Sequence, residues 1–260
     1  MRIGKQDQPF TAISTSDAAS ITVRGKDLCA DLIGKMSFTD YFYFMLTGAP
    51  PSELQRYFLD ALLLSIAEHG LVPSVQAARM TYVAAPEALQ GAVAAGLLGC
   101  GSVVLGSAEA CGRLLHALVG TAQETGQPFE RVAAEALAGM KAEGRSIPGF
   151  GHPQHSAGDP RAATLLELAG ARQAYGDHCR MLHTLEQCMA DAVGRALPIN
   201  VSGAIPAVAL DVGFPLAALK GIPILARTAS LIAHLNEEAS RPIGFVMSHL
   251  AAQGIRYDGQ

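Results

Sequence analysis

The chain has 260 residues, a formal net charge of -4 and a sequence pI near 6.0, with 50% hydrophobic and 16% charged residues. That length buries a large core in one large domain or two unequal ones, and the lack of a basic stripe excludes an extended nucleic-acid surface. Five scattered cysteines, odd in number and without CxxC spacing, exclude a disulfide framework and read as small apolar packing residues. No basic start followed by an apolar run marks a secretory signal, so a reducing cytoplasm is the expected location.

Strand character is confined to the first residues, where 19–25 (ASITVRG) is short and β-branched. A helix is predicted over 53–69: Ser52 caps it after Pro50 and Pro51, and Leu54, Phe58, Leu62 and Ile66 recur every four residues until Gly70 stops it. Residues 88–108 carry no charge, but their five glycines, Gln90 and Ser102 lack the Leu/Ile/Phe density of a membrane span. They read as a central buried helix opened by Pro86. Ser107 caps a helix to about 126, Pro128 begins one ending near 144, and Asp159 caps another. A helix from 177 to about 197 is broken by Pro198; periodicity resumes at 203 and again from 215 to about 238. The class is mainly α, and composition marks no linker or repeat.

Between these helices lies the longest stretch without helical pattern, 144–158, a length that usually signals function in a compact helical protein. It holds SIPGFGH at 146–152, followed by Asp159-Pro-Arg161. Gly149 and Gly151 let backbone amides approach a ligand, His152 exchanges a proton near neutral pH, and Arg161 offers a planar fork for a carboxylate. An ordinary loop ending at a helix N-cap has the same residues. His152 with His155 straddles a proline, and His178 with His183 is spaced i, i+5, so neither pair predicts a metal site. Gly96 to Gly101 follows no strand and is no dinucleotide loop, and no P-loop is present.

Several segments in order resemble the citrate synthase superfamily, and its small citryl-CoA lyase-like branch in particular: 23–27 (VRGKD), 32–38 (LIGKMSF), 43–50 (YFMLTGAP), Glu68-His69 with Ser74 and Arg79, 101–109 (GSVVLGSAE), 148–152 with Asp159-Pro-Arg161, 197–203 (LPINVSG), Arg227, His234 and Arg241-Pro. The resemblance covers nearly the whole chain. It implies an all-α fold with short N-terminal strands, a large domain of 1–110 and 209–260, and a small domain of 111–208. It also implies a homodimer that acts on coenzyme A thioesters, with no tightly bound cofactor, no metal and no membrane or nucleic-acid partner.

Carried over residue by residue, His69, His152, Arg161 and Arg227 match positions that grip citrate or oxaloacetate, and Arg241 matches one that reaches the partner subunit's site. Convergent cationic forks suit a ligand with two or three carboxylates. Gly149, Phe150 and Gly151 lie where the family's loop contacts the coenzyme A adenine.

The pattern breaks twice. The synthase histidine that stabilises the enolate corresponds to Val104, or to Leu105 in a register shifted by one, and neither side chain donates a hydrogen bond. Citryl-CoA lyase-like members also depart there. The proton-moving aspartate of the family's Asn-Val-Asp reads Ser202 after Asn200 and Val201, and a hydroxyl is a weak base. Asp211, expected on the following helix, Glu109 and Asp159 are the candidate carboxylates nearby in sequence to stand in.

The expected function is citryl-CoA cleavage, or the reverse condensation of acetyl-CoA with a 2-oxo acid such as oxaloacetate, with His152 and Ser202 as catalytic positions. Two alternatives stay open. One is a catalytically impaired homologue that binds coenzyme A esters or di- and tricarboxylates; the other is an acyl-CoA thioester hydrolase.

Overall fold

The computed structural model describes residues 9–101, 103, 105–151, 155 and 157–259. Among these, eleven α-helices accompany a single three-stranded sheet, so the all-α expectation with short N-terminal strands holds. Two compact units are present, residues 1–60 and 61–260.

The first unit opens with an antiparallel meander, β1 (Ser14–Ser16), β2 (Ile21–Val23) and β3 (Lys26–Asp27). Arg24 and Gly25 join β2 to β3 with φ of 49° and 79°, the paired left-handed residues of a tight two-residue hairpin. Asp27 then caps a π-helical turn, Leu28–Leu32, by accepting the Cys29 and Ala30 amides. Helix α1 (Phe38–Thr47) is capped by Ser37 and closed by left-handed Gly48. Val23, Leu32 and Phe44 form the small core of this unit. The start of α2 (Glu53–Ala67) is a capping box: Gln55 N–H donates to Ser52 Oγ at 3.2 Å, and Ser52 N–H donates to Gln55 Oε1 at 2.9 Å. As the four-residue spacing predicts, Phe58, Leu62 and Ile66 are buried.

In the second unit, α3 (Pro73–Ala84), α4 (Leu89–Leu98) and α10 (Gly221–Glu238) enclose Val75, Ala78, Ala92, Leu231 and Leu235. A Cβ at Gly96 would meet Ser74 O at 2.7 Å, so glycine sets how closely α4 approaches α3. The expected central helix over 88–108 is shorter than the apolar run. It ends at Leu98, which is exposed along with Val103, because the glycines that exclude a membrane span also turn the chain. Leu105 takes φ 66° just before α5 (Ser107–Thr125), whose first residue is Ser107 and whose cap position is Gly106.

Helices α5 and α8 (Asp177–Val193) pack with α9 (Val201–Asp211), which α7 (Pro160–Ala171) also contacts, while α6 (Phe129–Ala142) packs on α8 and α5. Helix α8 ends before the expected 197, where Gly194 adopts φ 86°. Helix α9 starts two residues before Gly203 because Asn200 caps it, and it is buried along nearly its whole length. Pro206 inside α9 removes the amide that would serve the Ser202 carbonyl. The helical signal from 215 to 238 is two elements, a 3-10 turn (Leu216–Ala218) and α10.

Helix α11 (Gly244–Gly254) packs on α3. Its first turn is fixed by a buried pair: Glu238 Oε1 accepts the Ile243 and Gly244 amides at 2.7 Å, and Arg79 Nη1 lies 3.4 Å from Glu238 Oε2.

Candidate active site

The turn after α2 places His69 beside one face of α10. Its preceding residue organises that turn: Glu68 Oε1 accepts the amides of His69 (2.9 Å) and Gly70 (2.6 Å), while Oε2 accepts Ser230 Oγ and lies 3.0 Å from His234 Nε2. Burial pushes the Glu68 carboxyl up, but the Ser230 hydrogen bond, the Gly70 amide, the charge of His234 and the His69 amide outweigh it and hold the group below its ordinary range.

Arg227, one turn before Ser230, is 2% exposed and caps the end of α2 by donating Nη2 to Ile66 O at 3.4 Å. Its Nε and Nη1 have no hydrogen-bond partner among the described residues. Burial pulls this guanidinium below its usual range; Glu68 and Cys100 oppose the shift and Arg161 adds to it.

Arg161 comes from the first turn of α7. Its Nε and Nη2 grip Asp159 Oδ1 and Oδ2 at 3.0 and 2.9 Å, a bidentate pair in which Asp159 is fully buried. Asp159 also accepts the Arg161 amide, as the predicted N-cap, and the Val201 amide at 2.9 Å. Burial raises the Asp159 carboxyl, yet Arg161 and these amides hold it low.

His69 Nε2 lies 3.1 Å from His155 Nε2, with the rings edge to face at 66°. Burial holds the His69 imidazole below the ordinary histidine range; Arg161, His155 and Arg227 act in the same direction and Asp159 opposes them. His69, Arg161 and Arg227 thus form one cationic cluster.

A second cluster surrounds the N-terminus of α9. Asn200 N–H donates to Gly149 O (3.0 Å), its Nδ2 donates to Gly151 O (2.6 Å), and Gly151 N–H donates to Pro198 O (2.8 Å). Phe150 pairs with Ile199 as an isolated antiparallel bridge and is buried. Gly149 and Gly203 touch back to back: a Cβ on Gly149, at φ 91°, would sit 2.9 Å from Gly203 Cα, and one on Gly203 would sit 2.6 Å from Gly149 O. Ser202, half-buried, donates its amide to Asn200 Oδ1 at 2.9 Å. Asp159 joins the two clusters by holding Arg161 and Val201 together.

His152 and Val104 lie outside the described residues. Leu105 is buried. Arg241 stands apart, 81% exposed, with Nη1 3.9 Å from Glu237 Oε1.

None of the three nearby carboxylates is poised to replace an aspartate at 202. Asp211 ends the same helix as Ser202 rather than lying on the next one, and it is committed to α8: it accepts the amides of Gly176, His178 and Cys179 and bonds His178 Nδ1 at 2.8 Å. Glu109 pairs with Arg113 at 2.8 Å, and Asp159 already accepts four donors.

Ser230 and His155 escaped the sequence reading as site residues, as did the roles of Glu68 and His234. The available signal was a polar stripe on an otherwise apolar α10, with Arg227, Ser230 and His234 spaced i, i+3 and i+7.

The citrate synthase C-terminal domain family matches residues 11–244. No curated protein matches the chain by sequence. Among solved structures, the citryl-CoA lyase from Hydrogenobacter thermophilus is similar at 30% identity and a TM-score of 0.84, over 100% of this chain and 96% of that one. The ATP citrate lyase from Methanothrix soehngenii, solved with citrate and coenzyme A, has 23% identity and a TM-score of 0.74, over 99% of this chain and 43% of its own. A citrate synthase from Thermotoga maritima MSB8 has 22% identity and a TM-score of 0.65, over 86% of this chain and 57% of its own. With a family match over most of its length and a fold shared end to end with a citryl-CoA lyase, the chain is an enzyme of the citrate synthase family, in its citryl-CoA lyase-like branch.

Proposed function

We propose that the enzyme cleaves citryl-CoA, or a related 3-hydroxy-acyl-CoA, into acetyl-CoA and a 2-oxo acid such as oxaloacetate, and also runs the reverse condensation. The observation that carries this reading is Arg227. A buried guanidinium with two nitrogens, Nε and Nη1, unpartnered among the described residues and lying beside His69 and Arg161, suits the carboxylates of a polyanionic substrate.

In the cleavage direction, His152 takes the proton of the tertiary hydroxyl as that carbon becomes a carbonyl and the neighbouring carbon–carbon bond breaks. The electron pair passes to the acetyl-CoA enolate, which is reprotonated at carbon from the Ser202 side. His69, Arg161 and Arg227 hold the carboxylates, and Arg241 joins them from the partner of a homodimer; its exposure suits that reach. Gly149, Phe150 and Gly151 line the coenzyme A adenine. The hydrogen bonds flanking Phe150 leave its own N–H and C=O directed away from Ile199, where an adenine edge can use them. Coenzyme A enters as part of the substrate, with no tightly bound cofactor. The site lies between a large domain of 1–110 and 209–260 and a small domain of 111–208, in a cytoplasmic enzyme.

Purified protein given citryl-CoA, with oxaloacetate followed by a coupled dehydrogenase, tests the reading. Turnover that His152→Ala abolishes supports it; free thiol without a 2-oxo acid points to hydrolysis instead.

A second reading is favoured by the committed state of Asp211, Glu109 and Asp159: a homologue that binds coenzyme A esters or carboxylates with little turnover. Silence from the native chain with activity in Ser202→Asp selects it.

A further inference from the structure

We propose that Glu186, on α8, is a positioning residue for coenzyme A: it holds the strand behind the Gly149–Gly151 loop and so fixes the backbone edge that the nucleotide meets. This rests on the coenzyme reading above and extends it to a residue with no assigned role.

The backbone of the loop dictates what must stand behind it. Phe150 and Ile199 face each other as an antiparallel bridge, and the hydrogen bonds on either side run from Gly151 N–H to Pro198 O at 2.8 Å and from Asn200 N–H to Gly149 O at 3.0 Å. In a pair flanked in this way, the N–H of each residue points away from the other. Ile199 N–H is therefore directed away from the loop, and there Glu186 Oε1 accepts it at 2.8 Å. Ile199 is buried, and a buried amide deprived of its acceptor is costly to keep in place.

Loop, strand and helix thus form successive layers. Leu182, one turn before Glu186 on the same face of α8, extends the back layer: a Cβ on Gly203 would sit 3.2 Å from Leu182 Cδ1. That face supports the strand through Glu186 and the first turn of α9 through Leu182. Within the strand, Asn200 Nδ2 donates to Gly151 O at 2.6 Å, so a shift at Ile199 is passed forward to the loop. Arg161 is held separately, by Asp159, which is anchored on the Val201 amide without help from Glu186. Loss of Glu186 therefore acts on the coenzyme side of the site more than on the carboxylate side.

Calorimetric titrations of coenzyme A and of citrate into the full chain and its Glu186 variants test the proposal. Glu186→Leu removes the acceptor and is expected to weaken coenzyme A about tenfold while leaving citrate within about twofold of native. Glu186→Gln keeps an oxygen for the Ile199 amide and is expected to bind both ligands within about threefold of native. Native coenzyme A affinity in Glu186→Leu overturns the proposal. So does an equal loss for both ligands, because a merely structural support serves them alike, and so does a Glu186→Gln variant as weak for coenzyme A as Glu186→Leu. If Glu186→Leu does not fold, Glu186→Ala takes its place and is read in the same way. Native protein that binds citrate but not coenzyme A overturns the coenzyme reading of the loop, and the role of Glu186 with it.

Discussion

Asp159 holds Arg161 through two guanidinium nitrogens and, through Oδ2, accepts the Val201 amide at 2.9 Å. One buried anion therefore fixes the first turn of α7, which carries Arg161, to the first turn of α9, which carries Ser202. Asp159→Asn keeps the shape and removes the charge. It is expected to cost about 3 kcal/mol, because it strands the largely buried Arg161, and to raise the KM of the carboxylate substrate. Urea unfolding and steady-state kinetics check both. Since folding lowers this carboxyl, its stabilisation is present above the unfolded value of about 3.9 and is lost as pH falls through the folded value.

Glu68→Gln retains an oxygen for the His69 and Gly70 amides but no longer offers a carboxylate to both Ser230 and His234. The turn bearing His69 then loses its tie to α10, and the 2-oxo acid KM is expected to rise about tenfold with a smaller change in kcat. An equal fall in kcat with an unchanged KM would refute the positioning role.

The lowered His69 imidazole has a signature in stability. The unfolded ring takes a proton near about 6.5 and the folded ring only at lower pH, so stability falls as pH drops through that window. Unfolding midpoints measured between pH 7 and pH 5 should decline, and His69→Gln should flatten the decline.

Asp211 gives a contrasting case. Asp211→Ala frees the N-terminus of α8 and leaves His178 without its partner, at an expected cost of about 2 kcal/mol. The per-molecule turnover of the folded variant should match the native enzyme. A collapse of kcat with stability preserved would reinstate Asp211 as the missing base.

Much of the helical pattern was legible because its signals are local. The Ser52 capping box, the Asp159 cap and the glycine after α5 each act within one turn. Helix ends were misjudged where left-handed glycines intervene, as at Gly194, because apolar periodicity runs on past the last helical residue. Arg161, Arg227 and His69 were legible through resemblance, whereas their braces were not. Glu68 meets Ser230 and His234 across more than 160 positions, and His155 meets His69 across 86. No window along a chain contains such a pair. The reassignment of Asp211 has the same origin, since its partners His178 and Gly176 lie 33 and 35 positions away.

The contact between Gly149 and Gly203 also constrains how this chain can diverge. What a side chain at Gly149 would strike includes the main chain of Gly203, and a side chain at Gly203 would strike the main chain of Gly149. Trimming a neighbouring residue makes no room for either, so neither glycine can be exchanged for the other's compensation, and descendants inherit both together. Ser202, one residue away, is under no such mutual lock. Its identity can change over generations while the loop that frames it stays the same.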